Sequence, residues 1–161
     1  MIYLALGANL GNREASLHLA RASLAPQVRI LAASSIYETA PWGYLEQPPF
    51  LNQVLQVETG LSPIDLLAHL KQIEEYMSRK PNFHYGPRLI DLDILFYHDQ
   101  VVNLDGLVIP HPHLAERAFI LVPLADLAPD LHHPISGQTV SELLASIGRD
   151  GVALYHPVTS T

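Results

Sequence analysis

Along residues 89–97 the side chains sort into two faces. Ile90, Leu92, Ile94 and Phe96 fall on one side, and Leu89, Asp91, Asp93 and Leu95 on the other, as the period of a strand requires. Other stretches share this habit. Residues 2–6 form a short apolar run, and residues 28–37 carry Val28, Ile30 and Ala32, with Ile36 further on. Residues 50–59 place Leu51, Leu55 and Val57 in phase, with Val54 one step out. Each predicts a strand. Helical spacing separates them. Asn12 is suited to cap a helix with Glu14 in its first turn, and Leu17, Ala20 and Leu24 repeat along one face until Pro26. Ser62-Pro63-Ile64-Asp65 opens a second helix, whose stripe is Leu66, Leu70, Ile73 and Met77. Lys71 and Glu74 flank that stripe, and Glu74 is expected on the solvated side. Beyond residue 100 the expected elements are one or two short strands in 101–109, helices near 114–118 and 141–147, and an apolar run at 119–124.

The order strand-helix-strand-strand-helix-strand predicts an α+β fold. Its form is a ferredoxin-like αβ sandwich, a mainly antiparallel sheet with helices packed on one face. A single domain over residues 1–161, without a fused partner, is expected from the length. Hydrophobic residues make up 48% of the chain and charged ones 16%, so a real core forms. A net charge of −7 argues against nucleic-acid binding, which needs many cations on phosphates. Any phosphate must be met by a few placed cations and a metal. No cysteine is present, which excludes thiolate metal sites and disulfides. The N-terminus lacks a signal-peptide pattern and no stretch has eighteen uninterrupted apolar residues, so a cytoplasmic, membrane-free protein is expected; a monomer is the expected state, though no sequence feature fixes it.

Candidate chemistry centres on Asp91 and Asp93, which project side by side from one strand face. Paired hard carboxylates with room for water and phosphate suit Mg²⁺. A bare Asp-x-Asp is also compatible with the wet face of an edge strand, but Leu89 and Leu95 on the same face predict a partly covered cleft. Arg88 precedes the pair, Arg79 lies on the 78–86 loop, and His111 and Arg117 lie on another. Together they describe a phosphoryl-transfer site, where metal and cations do most of the work. Trp42, Phe50, Asn52 and Phe119 could hold a flat heterocyclic acceptor. The 7–12 turn matches neither the dinucleotide fingerprint nor the P-loop, so it is expected to be structural. A zinc hydrolase built on His111, His113, His132 and His133 is the enzymatic alternative. A non-catalytic ligand sensor is another.

The chain also resembles the 6-hydroxymethyl-7,8-dihydropterin pyrophosphokinases of folate biosynthesis. The resemblance lies in Leu4-Ala5-Leu6-Gly7-Ala8-Asn9-Leu10-Gly11, Tyr37-Glu38-Thr39-Ala40-Pro41 and Gln47-Pro48-Pro49-Phe50-Leu51-Asn52. It continues in Gly86-Pro87-Arg88-Leu89-Ile90-Asp91-Leu92-Asp93-Ile94-Leu95, Ile109-Pro110-His111 and Arg117-Ala118-Phe119. It implies transfer of the β,γ-diphosphate of ATP to the pterin hydroxymethyl oxygen, with release of AMP. Asp91 and Asp93 would bind two Mg²⁺, and Arg79 and Arg88 would meet the phosphates. Thr39, Ala40, Trp42, Phe50 and Asn52 would bind the pterin, with Tyr85 and Phe119 sandwiching its ring. Lys71, Arg88, Ile94, His111 and Arg117 would serve ATP. The chain departs from the family at Ser78, Pro81, His84-Tyr85 and Pro112, and its 78–86 loop is expected to fold over ATP.

Overall fold

The structure is a computed structural model that describes residues 1–40, 48–78 and 89–157. Its elements run β1 (Ile2–Ala8), α1 (Arg13–Leu24), β2 (Val28–Ala33), β3 (Tyr37–Thr39), β4 (Phe50–Thr59), α2 (Pro63–Ser78) and β5 (Asp91–Tyr97). A small hairpin follows, β6 (Val102–Leu104) and β7 (Leu107–Ile109), then a 3₁₀ turn at Leu114–Glu116, α3 (Ala118–Leu127), α4 (Val140–Ile147) and β8 (Val152–Leu154). The main sheet is ordered β5-β1-β4-β3-β8, with β2 also pairing β4. All its pairings are antiparallel. The β1-α1-β2-β4-α2-β5 portion is the ferredoxin-like arrangement that the element order predicts.

Local chemistry sets the boundaries. Asn12 Oδ1 accepts the Ala15 amide at 3.1 Å and opens α1, while Ser62 Oγ accepts the Asp65 amide at 3.2 Å and opens α2. The strand expected over 28–37 is instead two strands laid end to end along β4. Ser34 makes the break. It is buried, its amide donates to Val54 O (2.9 Å) and its hydroxyl accepts the Val54 amide (2.9 Å). Gln53 Nε2 in turn donates to Ser34 O at 2.9 Å. A side chain thus completes the edge of β4 where the backbone ladder stops.

Helices cover both faces of the sheet, not one. Against α1 and α2 lie Leu4, Leu6, Leu51, Leu55, Leu92 and Ile94. On the opposite face α3 and α4 bury Ile120, Leu121, Leu124, Leu143 and Leu144 against Tyr3, Val54, Leu95 and Phe96. Val54 is out of phase in the sequence because it faces this second core. Phe96 joins it too, contrary to the simple alternation. The register of β1 against β5 shifts between Tyr3 and Leu4, so that Tyr3 opposes Phe96 and Leu4 opposes Ile94. One extra residue, Leu95, sits in that bulge and inverts the phase of the strand. In α3 five consecutive residues, Ile120 to Leu124, are buried, which fits a helix enclosed between a sheet and a second helix. No helix among the described residues is long and apolar enough to cross a membrane.

If the second core carries stability as the first does, Leu121→Ala, at a fully buried position, costs about 2–5 kcal/mol in urea denaturation. A loss near zero would show that α3 is only loosely docked.

Candidate active site

Register decides which side chains meet. Asp91 stands opposite Gly7 of β1, Gly7 opposite Asn52 of β4, and Asn52 opposite Tyr37 of β3. One step along, Asp93 stands opposite Ala5, and Ala5 opposite Val54. The carboxylates and the Asn52 amide therefore share one face, separated by two strand spacings, about 10 Å. The floor between them is glycine and alanine. A Cβ on Gly7 would come within 3.1 Å of Asn52 Oδ1, so glycine is what lets the carboxamide lean over β1.

Over this floor opens a cavity of about 450 Å³. Thr39, Ala40, Phe50 and Asn52 line one side, Asp91 and Asp93 the other, and His113, Glu116, Arg117 and Phe119 also border it. Asn52 is buried and Nδ2 donates to Thr39 Oγ1 at 2.8 Å. That bond uses one N–H of the NH₂ group and leaves Oδ1 on the Gly7 side. Arg117 stands over the Phe119 ring, 5.7 Å from its centroid, which orients both at the start of α3. Tyr37 donates to Asp126 Oδ2 at 2.7 Å and so ties β3 to α3. Burial, reinforced by that bond, pushes the phenol up to about 12, so it stays protonated.

His111 is half-buried and joins this group through His113, whose backbone amide donates to His111 Nδ1 at 3.2 Å. Burial lowers its pKa; the Asp93 charge opposes that, and Arg117 and His113 add to it. The ring is neutral at pH 7, and with Nδ1 accepting, its proton sits on Nε2.

Not every expected residue lines the cavity. Ile94 is buried in the core beneath α1 and α2, on the far face from Asp93. Lys71 is exposed on α2, with Nζ 3.7 Å from Glu74 Oε2. Trp42, Arg79, Tyr85 and Arg88, and nearly all of the 78–86 loop, lie outside the described residues. Among the described residues no cluster of three or more His, Cys, Asp or Glu could hold a metal, so the histidine alternative finds no zinc site there. The Asp91–Asp93 pair suits a cation that takes its remaining oxygens from water and phosphate, which is the habit of Mg²⁺.

Two supporting side chains escaped the sequence analysis. Glu74, expected in solvent, is 5% exposed, and its Oε1 accepts the amide of Leu92, the residue between the aspartates, at 3.1 Å. Its position four residues after Leu70 and three before Met77 places it within the buried stripe, a signal that the residue type obscured. Arg13 is the other. Its Nη1 donates to Glu38 Oε2 (2.7 Å) and to Pro49 O (2.9 Å), and Asn9 Nδ2 donates to Pro48 O (3.4 Å). These bonds fix the chain on both sides of residues 41–47.

A sequence profile of 7,8-dihydro-6-hydroxymethylpterin-pyrophosphokinase (HPPK) matches residues 3–129, a span that contains the whole floor and both aspartates. The chain belongs to the HPPK family. The 2-amino-4-hydroxy-6-hydroxymethyldihydropteridine pyrophosphokinase of Pseudomonas aeruginosa is 41% identical over 94% of this chain and 94% of that one. The Methylorubrum extorquens protein of the same name is 43% identical over 93% and 95%. The folic acid synthesis protein fol1 of Schizosaccharomyces pombe is 43% identical over 95% of this chain, which spans only 21% of that longer protein. A Plasmodium falciparum HPPK-DHPS crystal structure with SDX-DHP superposes with a TM-score of 0.77 at 20% identity, over 90% of this chain and 45% of that one. It shares the HPPK fold.

The crowding at residue 7 gives a direct check. Gly7→Ala should push the Asn52 carboxamide off Thr39, at a cost of about 1 kcal/mol for the disturbed bond. The side-chain NH₂ resonances of Asn52 would move in an NMR spectrum; unmoved resonances would mean that the close approach imposes nothing.

Proposed function

We propose that the protein transfers the terminal diphosphate of ATP to 6-hydroxymethyl-7,8-dihydropterin, with Asp91 and Asp93 as the magnesium ligands. The observation that carries this is the row Asp91–Gly7–Asn52, a metal-type carboxylate and an amide facing each other across a floor with no side chain. Family membership supports the same reaction.

In this reading the pterin lies on the Asn52 side. Asn52 Oδ1 accepts from its ring N–H groups, Thr39 holds the amide in place, and Phe50 and Phe119 supply apolar contact. Ala40, Trp42 and Tyr85 complete that subsite. The triphosphate lies on the Asp91–Asp93 side, met by Arg79 and Arg88, with Arg117 and the Nε2–H of His111 as further donors. Lys71, on α2, and Ile94, on β5, would serve the nucleotide base. Ile94 serves there through its backbone, because its side chain is in the core and β5 is the last strand of the sheet order.

Chemically, the hydroxymethyl oxygen attacks the β-phosphorus, the bond from the α-phosphate bridging oxygen to that phosphorus breaks, and AMP departs. The hydroxyl proton passes to solvent. Bound Mg²⁺, two ions in this reading, supplies charge neutralisation across the phosphates. The protein contributes distance and alignment. It holds acceptor and donor at opposite ends of a trough about 10 Å long, which turns a bimolecular encounter into a positioned one. Monomeric action in the cytoplasm belongs to the same proposal.

AMP release from ATP should require both Mg²⁺ and the pterin. Asp93→Ala should lower kcat/KM by about 10³-fold or more, near 4 kcal/mol, whereas Asp99→Ala, in an exposed turn, should not. Near-normal turnover in Asp93→Ala would refute the metal assignment.

A further inference from the structure

Asp91 and Asp93 are carried by β5, which has β1 on one side and ends the sheet order on the other. An edge strand exposes every second amide, and its geometry is less well determined than that of a strand paired on both sides. The pair that should grip a cation thus sits on a strand that, among the described residues, has β1 as its one neighbour in the sheet order, with the His111 amide donating to Leu95 O at 3.0 Å further along its outer side. The Leu92 amide, between the two carboxylates, points outward from the sheet. There Glu74 Oε1 accepts it at 3.1 Å.

Glu74 stands within a helix face of Leu70, Ile73 and Met77 and is 5% exposed. Burying a carboxylate there is costly unless its hydrogen bonds compensate, and an apolar residue of similar size would pack in its place without that cost. Its other oxygen lies 3.7 Å from Lys71 Nζ, an ion pair that is half in solvent and contributes little. The bond to β5 is one that a leucine could not supply.

We propose that Glu74 is a positioning residue for the metal site: by holding the Leu92 peptide to α2, it sets the spacing and aim of the Asp91 and Asp93 carboxylates. This rests on the assignment of those aspartates to Mg²⁺. Supports of this kind behind a ligand pair are worth about 10–100-fold in metal affinity elsewhere.

Glu74→Gln keeps an oxygen able to accept the Leu92 amide, and Glu74→Leu keeps the volume without it. Magnesium is titrated by calorimetry in the presence of a non-hydrolysable ATP analogue, alongside hydrogen exchange at Leu92 and pterin binding. For Glu74→Leu we expect a cooperative melt, lost protection at Leu92, Mg²⁺ affinity weakened roughly tenfold or more and unchanged pterin affinity. Glu74→Gln should stay within about threefold of the parent. Unshifted Mg²⁺ affinity in Glu74→Leu overturns the proposal. So does an equal loss in both variants, which would assign the effect to charge, or a parallel loss of pterin affinity, which would indicate general damage. If Glu74→Leu does not fold, Glu74→Met, which also lacks the carboxylate acceptor, is read by the same criteria, and a loss of Mg²⁺ affinity beyond threefold in Glu74→Gln with Leu92 protection kept overturns the proposal in either case. Asp93→Ala in the same titration separates the two layers. If it leaves Mg²⁺ affinity untouched, the metal assignment has failed and the proposal with it; if only Glu74→Leu leaves it untouched, the role of Glu74 alone has failed.

Discussion

The antiparallel register of β5, β1 and β4 is the constraint on which the rest depends. Side chains alternate with a period of two, so a slip of one residue in either pairing would turn a carboxylate or the Asn52 amide to the opposite face. The register is held from both sides. Leu4, Leu6, Leu51, Leu55 and Leu92 must face α1 and α2, and Tyr3, Val54 and Leu95 must face α3 and α4. Two cores pulling on the same strands leave one alignment that buries both sets. The position of the polar row at their upper end follows from that alignment, so the packing of the hydrophobic residues determines where the chemistry can be.

Much of this was legible in the sequence. Helix starts at Asn12 and Ser62 were readable because capping is local: a side-chain oxygen meets an amide three residues on. The Phe50–Thr59 strand and the shared face of Asp91 and Asp93 were readable for the same reason, since periodicity needs no partner. The broken strand at Ser34 and the phase change at Leu95 were not, because each depends on what lies opposite in β4 or β1. Helices on the second face were not anticipated either, although the out-of-phase Val54 was their trace.

Within the site the same division holds. Residue types suggested Asp91, Asp93, Asn52 and Phe119, and the fold brings all of them to one cavity. Glu74 was misplaced because a charged residue type outweighed its position in the helix stripe, and one partner of its buried carboxylate is an amide eighteen residues away. Gly7 looked like part of a turn. Its importance lies in an absent side chain between two strands, which only the register reveals.

The bonds of Arg13 to Glu38 and to the Pro49 carbonyl, with Asn9 on Pro48, reach across from the start of α1 to both shores of residues 41–47. Because the anchors belong to the sheet and helix, the distance to be bridged is set independently of what bridges it. Exchange or lengthening of that bridge would then leave the foldedness of the domain nearly untouched. The architecture in this way separates the upkeep of a stable scaffold from the variation of one connection.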